Sequence, residues 1–235
     1  CRRELEKAFE CKGTILGHDE GEEQEVIYLN RIIRWEEHGI TYEADDRHVT
    51  NILRELGMEG CSGVSTPGQV EKDAPEGDVA LSAGQQSTMR RVIAICNYLA
   101  QDVPGIGYSV KEVARTMAAP TTATASKVKR LARFLCNYPR QIHKFCWQTP
   151  PKGITVQSDS DWAGCRATRR STSGGAVYLG NHLVKHWSKT QTNVTLSSAE
   201  AELVALVKSS TEGLGVQTLL REMGEQKSLA VETDS

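Results

Sequence analysis

The sequence of 235 residues predicts an α+β or α/β fold, in which a mainly helical region with a hairpin precedes a mixed β-sheet. Three observations support this prediction. Between residues 45 and 138 apolar side chains recur at helical spacing. After residue 150 the pattern changes to three strands, one long helix and a last strand, the order β-β-β-α-β. The segment CWQTPPKG separates the two patterns, so we predict domains over 1–150 and 151–235.

The first predicted element is a hairpin near the N-terminus. Val26–Trp35 and Ile40–Glu43 are rich in β-branched and aromatic residues, which favour strands. The letters EEHG join the two runs, and Gly39 gives this turn the conformational freedom that a short connection needs.

Four helices are then predicted from apolar periodicity. The first follows Asp45 or Asp46, either of which can cap it, and it ends at Gly57. Three more helices are predicted over residues 85–100, 108–118 and 125–138. In the last of these the apolar face points inward, so the basic residues of the opposite face are expected to point outward.

These basic residues lie in a stretch without acidic residues, although the net charge of the whole chain is only −2. No acidic residue occurs between Glu112 and Asp159, whereas arginine and lysine occur throughout. A stretch of one sign suits a phosphate backbone, and a solvated helix face is the alternative. The predicted nucleic-acid contacts on the last of the four helices are Lys127, Lys129, Arg130 and Arg133.

Composition excludes several classes of protein. No apolar run approaches the roughly 18 residues of a membrane span, and the charged start CRRELEKAFE is not a secretory signal. The seven cysteines form no CxxC pair, so we expect reduced thiols and an intracellular location, in a cytoplasmic particle or the nucleus. Because the sequence does not begin with Met, we expect it to be a piece of a longer protein.

Three carboxylates occur where a β-β-β-α-β unit can bring them together. Asp159 ends the first strand of the unit, Glu202 lies near the start of the long helix, and Asp234 ends the last strand. If the first and last strands are neighbours, the two aspartates emerge at adjacent strand ends. Converging carboxylates repel each other unless cations hold them, and Mg²⁺ prefers oxygen ligands of this kind. The sequence therefore predicts a site for Mg²⁺ or Mn²⁺, with two ions as in phosphodiester hydrolysis.

Two glutamates near the helix start compete for this role. Ser197 and Glu200 fit the S-x-x-E capping box, in which the glutamate bonds back to the backbone. Glu202 lies roughly 200° further around the helix, so we assign Glu202 to the metal and Glu200 to structure. Asp161 follows Asp159 by two residues at the strand end, and we expect it to cap a turn.

The same residues carry a resemblance to a known family. The segments SDSDWAGCRATRRSTSGGAVYLG, WSKTQTNVTLSSAEAELVAL and TDS resemble the RNase H domain of copia-type LTR retrotransposon Pol polyproteins. Upstream, YLNRIIRW, DVPGIGYSV and VKRLARFL resemble the segment that follows the reverse transcriptase core in those polyproteins. The resemblance implies a thumb- or connection-like region over 1–150 and an RNase H-like domain over 151–235, truncated at its C-terminus.

The resemblance also implies a function. It implies endonucleolytic cleavage of RNA in RNA–DNA hybrids, with Mg²⁺ or Mn²⁺ held by Asp159, Glu202 and Asp234. The implied partners are the hybrid and the rest of the Pol polyprotein. Candidate contacts to the hybrid are Ser198, Arg169, Arg170 and Ser171, and the alternative for these residues is a solvated turn. The Y-x-D-D motif of the polymerase is absent from the sequence, so no polymerase activity is expected. The alternative is a non-catalytic nucleic-acid-binding remnant, the product of a degenerate insertion.

Overall fold

The computed structural model describes residues 7–10, 13–69 and 77–234. It contains two four-stranded sheets and five α-helices within the described ranges, so the predicted α+β class is confirmed. The chain divides into two compact units. The first consists of the described residues up to Asp45 and of Arg140–Trp147, and the second consists of Asp46–Pro139 and the described residues from Gln148 onward.

The first sheet has the antiparallel order β1-β2-β3-β4, with strands Glu25–Tyr28, Arg31–Glu36, Gly39–Glu43 and Ile142–Cys146. The predicted hairpin is present as β2 and β3. The run predicted as one strand over Val26–Trp35 is instead two strands, because Leu29 and Asn30 turn the chain with φ angles of 49° and 62°. Asparagine tolerates this left-handed conformation better than most residues, which makes a two-residue hairpin turn feasible here.

Strand β4 was not predicted from the sequence. Its residues pair with β3 from Gly39↔Cys146 to Glu43↔Ile142, so two strands about a hundred residues apart in sequence are neighbours in the sheet. The position of Gly39 is constrained by this pairing, because a Cβ atom there would lie 2.2 Å from the carbonyl oxygen of Phe145. Glycine is therefore required at Gly39 for close approach as well as for the turn.

The helical segment of the second unit consists of α1 to α4, with bounds Arg47–Glu55, Ala83–Leu99, Gly107–Ala114 and Thr122–Asn137. A short 3₁₀ helix, Pro104–Ile106, precedes α3. The helices enclose one apolar core, in which Ile52, Val92, Ile93 and Leu131 are fully buried. Such burial is the main favourable contribution to folding.

The helix ends follow local sequence signals in most cases. Helix α2 begins with a capping box between Ser82 and Gln85, and α1 is followed by Gly57 with φ of 61°, as predicted for a C-terminal glycine. Asp46, one of the two predicted caps, occupies the N-cap position of α1, but its side chain makes no cap hydrogen bond among the described residues.

The second sheet has the order β7-β6-β5-β8, with strands Gly153–Asp161 (β5), Thr172–Leu179 (β6), His182–Thr190 (β7) and Ser228–Thr233 (β8). Helix α5, Ser198–Glu222, lies between β7 and β8 in the chain and packs on β5, β6 and β8. The predicted order β-β-β-α-β is confirmed, and so is the turn at Gly180 between β6 and β7.

The contact between α5 and this sheet is close at one point. Gly213 of α5 is buried, and a Cβ atom there would lie 2.7 Å from Leu229 and 2.8 Å from Val156. Further along the interface, Ser209 donates a hydrogen bond to Ser158 over 2.9 Å, and both residues are buried. None of the helices in the described ranges combines the length and apolar character that a membrane crossing requires.

Because the helical segment and the second sheet fall into the same compact unit, the predicted domains 1–150 and 151–235 stay a prediction.

Candidate metal centre

The centre is built at one end of the two parallel strands in the second sheet. Strands β5 and β8 pair in parallel, and their register matches Ser158 with Thr233. Asp159 and Asp234 follow this pair, so the two side chains lie next to each other, as predicted. Strand β5 continues to Asp161 because it pairs with β6 up to that residue, so the prediction that Asp159 ends the strand was wrong by two residues. Both aspartates are exposed. The parallel pairing therefore provides two acidic side chains that are open to solvent and close together.

Helix α5 contributes the third carboxylate. The side chain of Ser197 caps this helix by accepting a hydrogen bond from the backbone N–H of Glu200 over 3.1 Å. Glu202 follows in the first turns of the helix and is half-buried. Ser160 Oγ of β5 donates a hydrogen bond to Glu202 Oε1 over 2.8 Å, and this bond fixes one oxygen of Glu202 against the strand that carries Asp159.

Asp159, Glu202 and Asp234 converge. Each offers one carboxylate oxygen, and these oxygens all lie within 4.8 Å of one another. The second oxygen of Glu202, Oε2, is buried and has no hydrogen-bond partner among the described residues. A buried acceptor without a donor is costly, and three carboxylates at this spacing repel each other. A cation at the centre would remove both costs, so the residues present can hold a metal ion of the kind that prefers oxygen ligands.

The neighbouring carboxylates have other partners. Glu200 Oε2 accepts a hydrogen bond from the backbone N–H of Leu196 over 2.6 Å. In a capping box the donor would be the backbone N–H of Ser197, the next residue. Glu200 nevertheless bonds to the backbone at the start of the helix, as predicted. Asp161 Oδ1 accepts a hydrogen bond from the backbone N–H of Thr172 and so closes the loop between β5 and β6. Neither residue belongs to the group that converges.

The basic residues predicted to contact nucleic acid lie on α4. Lys129 is exposed, whereas Lys127, Arg130 and Arg133 are half-buried, so the predicted outward orientation holds fully only for Lys129. Arg130 Nη2 donates to Thr66 Oγ1 over 2.6 Å, and Arg133 Nε donates to the carbonyl oxygen of Ser62 over 2.7 Å.

These two arginines therefore attach the segment before α2 to helix α4. Ser198, the other predicted contact, is exposed at the first position of α5, and its role stays a prediction.

One contributor to the centre was not predicted. Ser160 lies between the two aspartates of the letters SDSD, and its alternation with them gave no sign that it would bond to Glu202. The loop over residues 162–171 leaves β5 just beyond Asp161 and carries three exposed arginines. Of these, Arg169 and Arg170 were predicted as contacts to the hybrid, together with Ser171, which is buried at the end of the loop. Their roles stay predictions.

The chain has sequence relatives among known proteins. No family model matches the chain. The chain is 31% identical over 182 residues to the retrovirus-related Pol polyprotein from transposon RE1 of Arabidopsis thaliana, a match that covers 76% of this chain and 12% of that polyprotein. It is also 31% identical over 169 residues to the uncharacterized mitochondrial protein AtMg00810 of Arabidopsis thaliana, a match that covers 71% of this chain and 68% of that protein.

Among solved structures, one of a foamy viral protease-reverse transcriptase in complex with dsDNA aligns with a TM-score of 0.47 at 11% identity. The alignment covers 91% of this chain and 45% of that chain. The matched region is thus a small part of the RE1 polyprotein and about two thirds of the mitochondrial protein. On these sequence relationships, the chain belongs to the family of Pol polyproteins from copia-type retrotransposons.

Proposed function

We propose that Asp159, Glu202 and Asp234 are the catalytic carboxylates of an RNase H-type endonuclease that cleaves the RNA strand of RNA–DNA hybrids. The observation that carries the proposal is their convergence within 4.8 Å from two strands and one helix. The proposed cofactor is Mg²⁺ or Mn²⁺, with two ions bound. Such ions supply an activated water and stabilise the leaving oxygen in phosphodiester hydrolysis.

Each residue of the centre has a distinct part in this proposal. Asp159 and Asp234 are exposed and present their oxygens to the side from which a nucleic acid can approach. Glu202 is half-buried and oriented by Ser160, and one of its carboxylate oxygens lies within 4.8 Å of those of the two aspartates. An ordered, partly buried ligand loses little conformational freedom on binding, which supports pre-organisation of the site.

The remaining parts of the proposal concern the polyprotein. Residues 1–150 are proposed to be the thumb- or connection-like region that follows a reverse transcriptase core, and 151–235 to be the RNase H-like domain. The match to the RE1 polyprotein, which covers 76% of this chain, supports an origin in such a polyprotein. The proposed partners are the RNA–DNA hybrid and the rest of the Pol polyprotein.

The test compares three single variants in the whole chain. Asp159→Asn and Glu202→Gln each remove one metal-binding charge, whereas Glu200→Gln keeps an oxygen acceptor for Leu196 and serves as the matched control. The first two variants should weaken Mn²⁺ binding, measured by titration calorimetry, on the order of tenfold or more, because ligand charge sets affinity. The control should bind Mn²⁺ as the wild type does.

The second readout is cleavage of a labelled RNA–DNA hybrid with Mg²⁺ added. Products in the wild type and the control, but not in Asp159→Asn or Glu202→Gln, support the nuclease. Binding of the hybrid without products, in a chain that binds Mn²⁺, would instead identify a non-catalytic nucleic-acid-binding module. Loss of Mn²⁺ binding in Glu200→Gln but not in Glu202→Gln would show that the helix contributes the other glutamate.

A further inference from the structure

The loop between β5 and β6 carries positive charge beside the carboxylate centre. This arginine loop, residues 162–171, begins just after Asp161 and leads back into β6, which pairs with β5 next to Asp159. It contains no acidic residue and three exposed arginines: Arg166, Arg169 and Arg170. Trp162 at its start is 50% exposed and donates its indole N–H to the carbonyl oxygen of Thr195.

Cys165 organises the loop from within. Its sulfur accepts hydrogen bonds from the backbone N–H of Thr168 over 3.3 Å and from the hydroxyl of Thr168 over 2.9 Å. Its backbone N–H donates to Arg170, and its carbonyl oxygen accepts from Arg169 over 2.6 Å. Both neighbouring arginines are thus fixed at their backbone, while their side chains extend to solvent.

The loop also contains backbone strain. Ala163 and Arg169 have φ angles of 52° and 57°, which residues other than glycine adopt rarely. Such conformations persist only where surrounding contacts determine them, and they are common at functional sites. At the base of the loop, Ser171 Oγ accepts from the backbone N–H of Ala163 over 3.0 Å and contacts Thr195 Oγ1.

Two basic side chains at the C-terminal end of α3 contact the loop and the residue after it. Arg115, the residue just after α3, donates a hydrogen bond from Nη2 to Cys165 Sγ. One turn earlier, Lys111 Nζ donates to Thr172 Oγ1 over 2.8 Å. Glu112 contacts both basic side chains, at 2.5 Å from Lys111 and 3.2 Å from Arg115. These contacts join the helical segment to Cys165 inside the arginine loop and to Thr172 just after it.

The electrostatics of Cys165 fit this arrangement. Burial raises the pKa of the Cys165 thiol, but the hydrogen bonds from Thr168 and Arg115 lower it more, and the resulting pKa is about 7. Arg115 pairs with Glu112 over 3.2 Å, so its charge is balanced inside the protein. The positive charge available at the surface is therefore that of the arginines on the loop itself.

We propose that the arginine loop binds phosphates of the sugar–phosphate backbone beside the carboxylate centre, and that Arg115 is a positioning residue for this loop. The inference rests on the proposed function, because it concerns how the same substrate is held. Guanidinium groups bind phosphate through paired N–H donors, and an exposed indole beside them can stack on a base. Arg115 contacts the loop and acts on the nucleic acid only through it.

The test measures hybrid binding in the whole chain by fluorescence anisotropy, at several salt concentrations and with EDTA present so that no cleavage occurs. The variant Arg169→Ala/Arg170→Ala should lower affinity about tenfold and reduce the salt slope by about 1.4–1.8, because each lost phosphate contact removes about 0.7–0.9 from the slope. The control Arg54→Ala/Arg221→Ala removes the same charge from α1 and α5 and should leave the slope unchanged. An unchanged slope in the loop variant would overturn the proposal.

Arg115→Gln tests the positioning role. It should weaken hybrid binding several-fold, and adding it to the loop variant should cause no further loss, because both changes act through one contact. Fully additive effects, or wild-type affinity in Arg115→Gln, would overturn the role of Arg115. Mn²⁺ binding measured by calorimetry should be unchanged in all of these variants.

The Mn²⁺ measurement also separates this proposal from the proposed nuclease. If the wild type fails to bind Mn²⁺ while the loop variant still loses hybrid affinity, the nuclease is refuted and the loop contact is supported. If Mn²⁺ binds and the loop variant keeps its hybrid affinity, the loop contact is refuted and the metal centre is supported.

Discussion

Glu43 is the clearest case of a single residue whose surroundings determine its chemistry. Its side chain is only 6% exposed, in the sheet of the first unit. Arg140 Nε donates to Glu43 Oε1 over 2.6 Å, and Arg34 Nη1 donates to Oε2 over 2.9 Å. The bond from Arg140 lowers the pKa of Glu43, burial opposes this, and the bond from Arg34 lowers it further, so the pKa falls from its usual 4.5 to about 2.

This shift predicts how the stability of the sheet depends on pH. Because the folded-state pKa is the lower one, the ion pairs stabilise the fold fully above pH 4.5, and this contribution disappears as the pH falls from 4.5 to about 2. We expect a loss of roughly 2 kcal/mol in the free energy of unfolding, after allowing for screening at the half-exposed Arg140. Hydrogen exchange of amides in β2 and β3, followed from pH 6 to pH 2, measures this loss of unfolding free energy.

The matched variants are Glu43→Gln and Glu25→Gln. Glu43→Gln should be less stable at pH 6, and its free energy of unfolding should not show the fall between pH 4.5 and about 2. Glu25→Gln removes a carboxylate that contacts the same Arg34 but leaves Glu43 intact, so it should keep the change. An acid-side loss of equal size in Glu43→Gln would contradict the assignment to this residue.

Residue roles were predictable where a local rule separates candidates. The S-x-x-E pattern distinguished Glu200 from Glu202 because capping is decided within four residues of sequence. The hydrogen bonds of Arg130 and Arg133 were not predictable, because their acceptors lie on a segment more than sixty residues earlier. A helical wheel shows which face is polar, but it does not show what covers that face.

Helix α5 illustrates how one element depends on one close contact. Gly213 faces Leu229 and Val156, whereas Gly215, two residues later in the same helix, has nothing within 4 Å of a Cβ position. The two glycines therefore separate packing from helix propensity within one element.

Gly213→Ala should lower the free energy of unfolding by about 1–3 kcal/mol, because the added methyl group forces the helix away from a buried valine. Gly215→Ala should raise it by about 0.5–1 kcal/mol, because alanine loses less backbone entropy in a helix. Urea unfolding followed by circular dichroism measures both. A loss in Gly215→Ala, or no loss in Gly213→Ala, would contradict the packing described at this interface.

The elements themselves were largely predictable, and the exceptions share a cause. The helices α1 to α4 and the strands β5 to β8 follow from periodicity and from glycine and proline signals near their ends. Strand β4 was missed because its residues lie among basic residues after a helix, and its partner β3 lies far away in sequence. The division of Val26–Trp35 into two strands was missed because Leu29 adopts a left-handed backbone conformation, which leucine rarely does.

At the scale of the whole molecule, charges that are separated in sequence meet in space. The interval between Glu112 and Asp159 lacks acidic residues, yet two of its four arginines have acidic partners from outside it. Arg140 contacts Glu43 and Arg115 contacts Glu112. The phosphate-binding potential of that interval is therefore smaller than its composition indicates.

This correction changes the expected effect of removing positive charge from α4. Lys129→Ala removes an exposed charge, so it should lower the salt slope of hybrid binding by about 0.7–0.9 if α4 contacts a phosphate, with no change in stability. Arg133→Ala loses its bond to Ser62 and should cost about 1 kcal/mol of unfolding free energy. Anisotropy titrations and urea unfolding on the same samples separate the two effects, and an unchanged slope for Lys129→Ala would remove α4 from the interface.

The parallel pairing of β5 with β8 has a consequence for the order of folding. Residue 153 pairs with residue 228, so this ladder closes a long segment that contains β6, β7 and α5. A hairpin such as β6–β7 forms in about 1–10 μs, whereas pairings between distant residues form more slowly. During refolding, Asp234 should therefore join Asp159 late, after the hairpin has formed. Stopped-flow refolding would follow two signals. Far-UV circular dichroism reports the formation of strands, and quenching of tryptophan fluorescence by Mn²⁺ reports the return of metal binding. Metal binding should return in the slower phase.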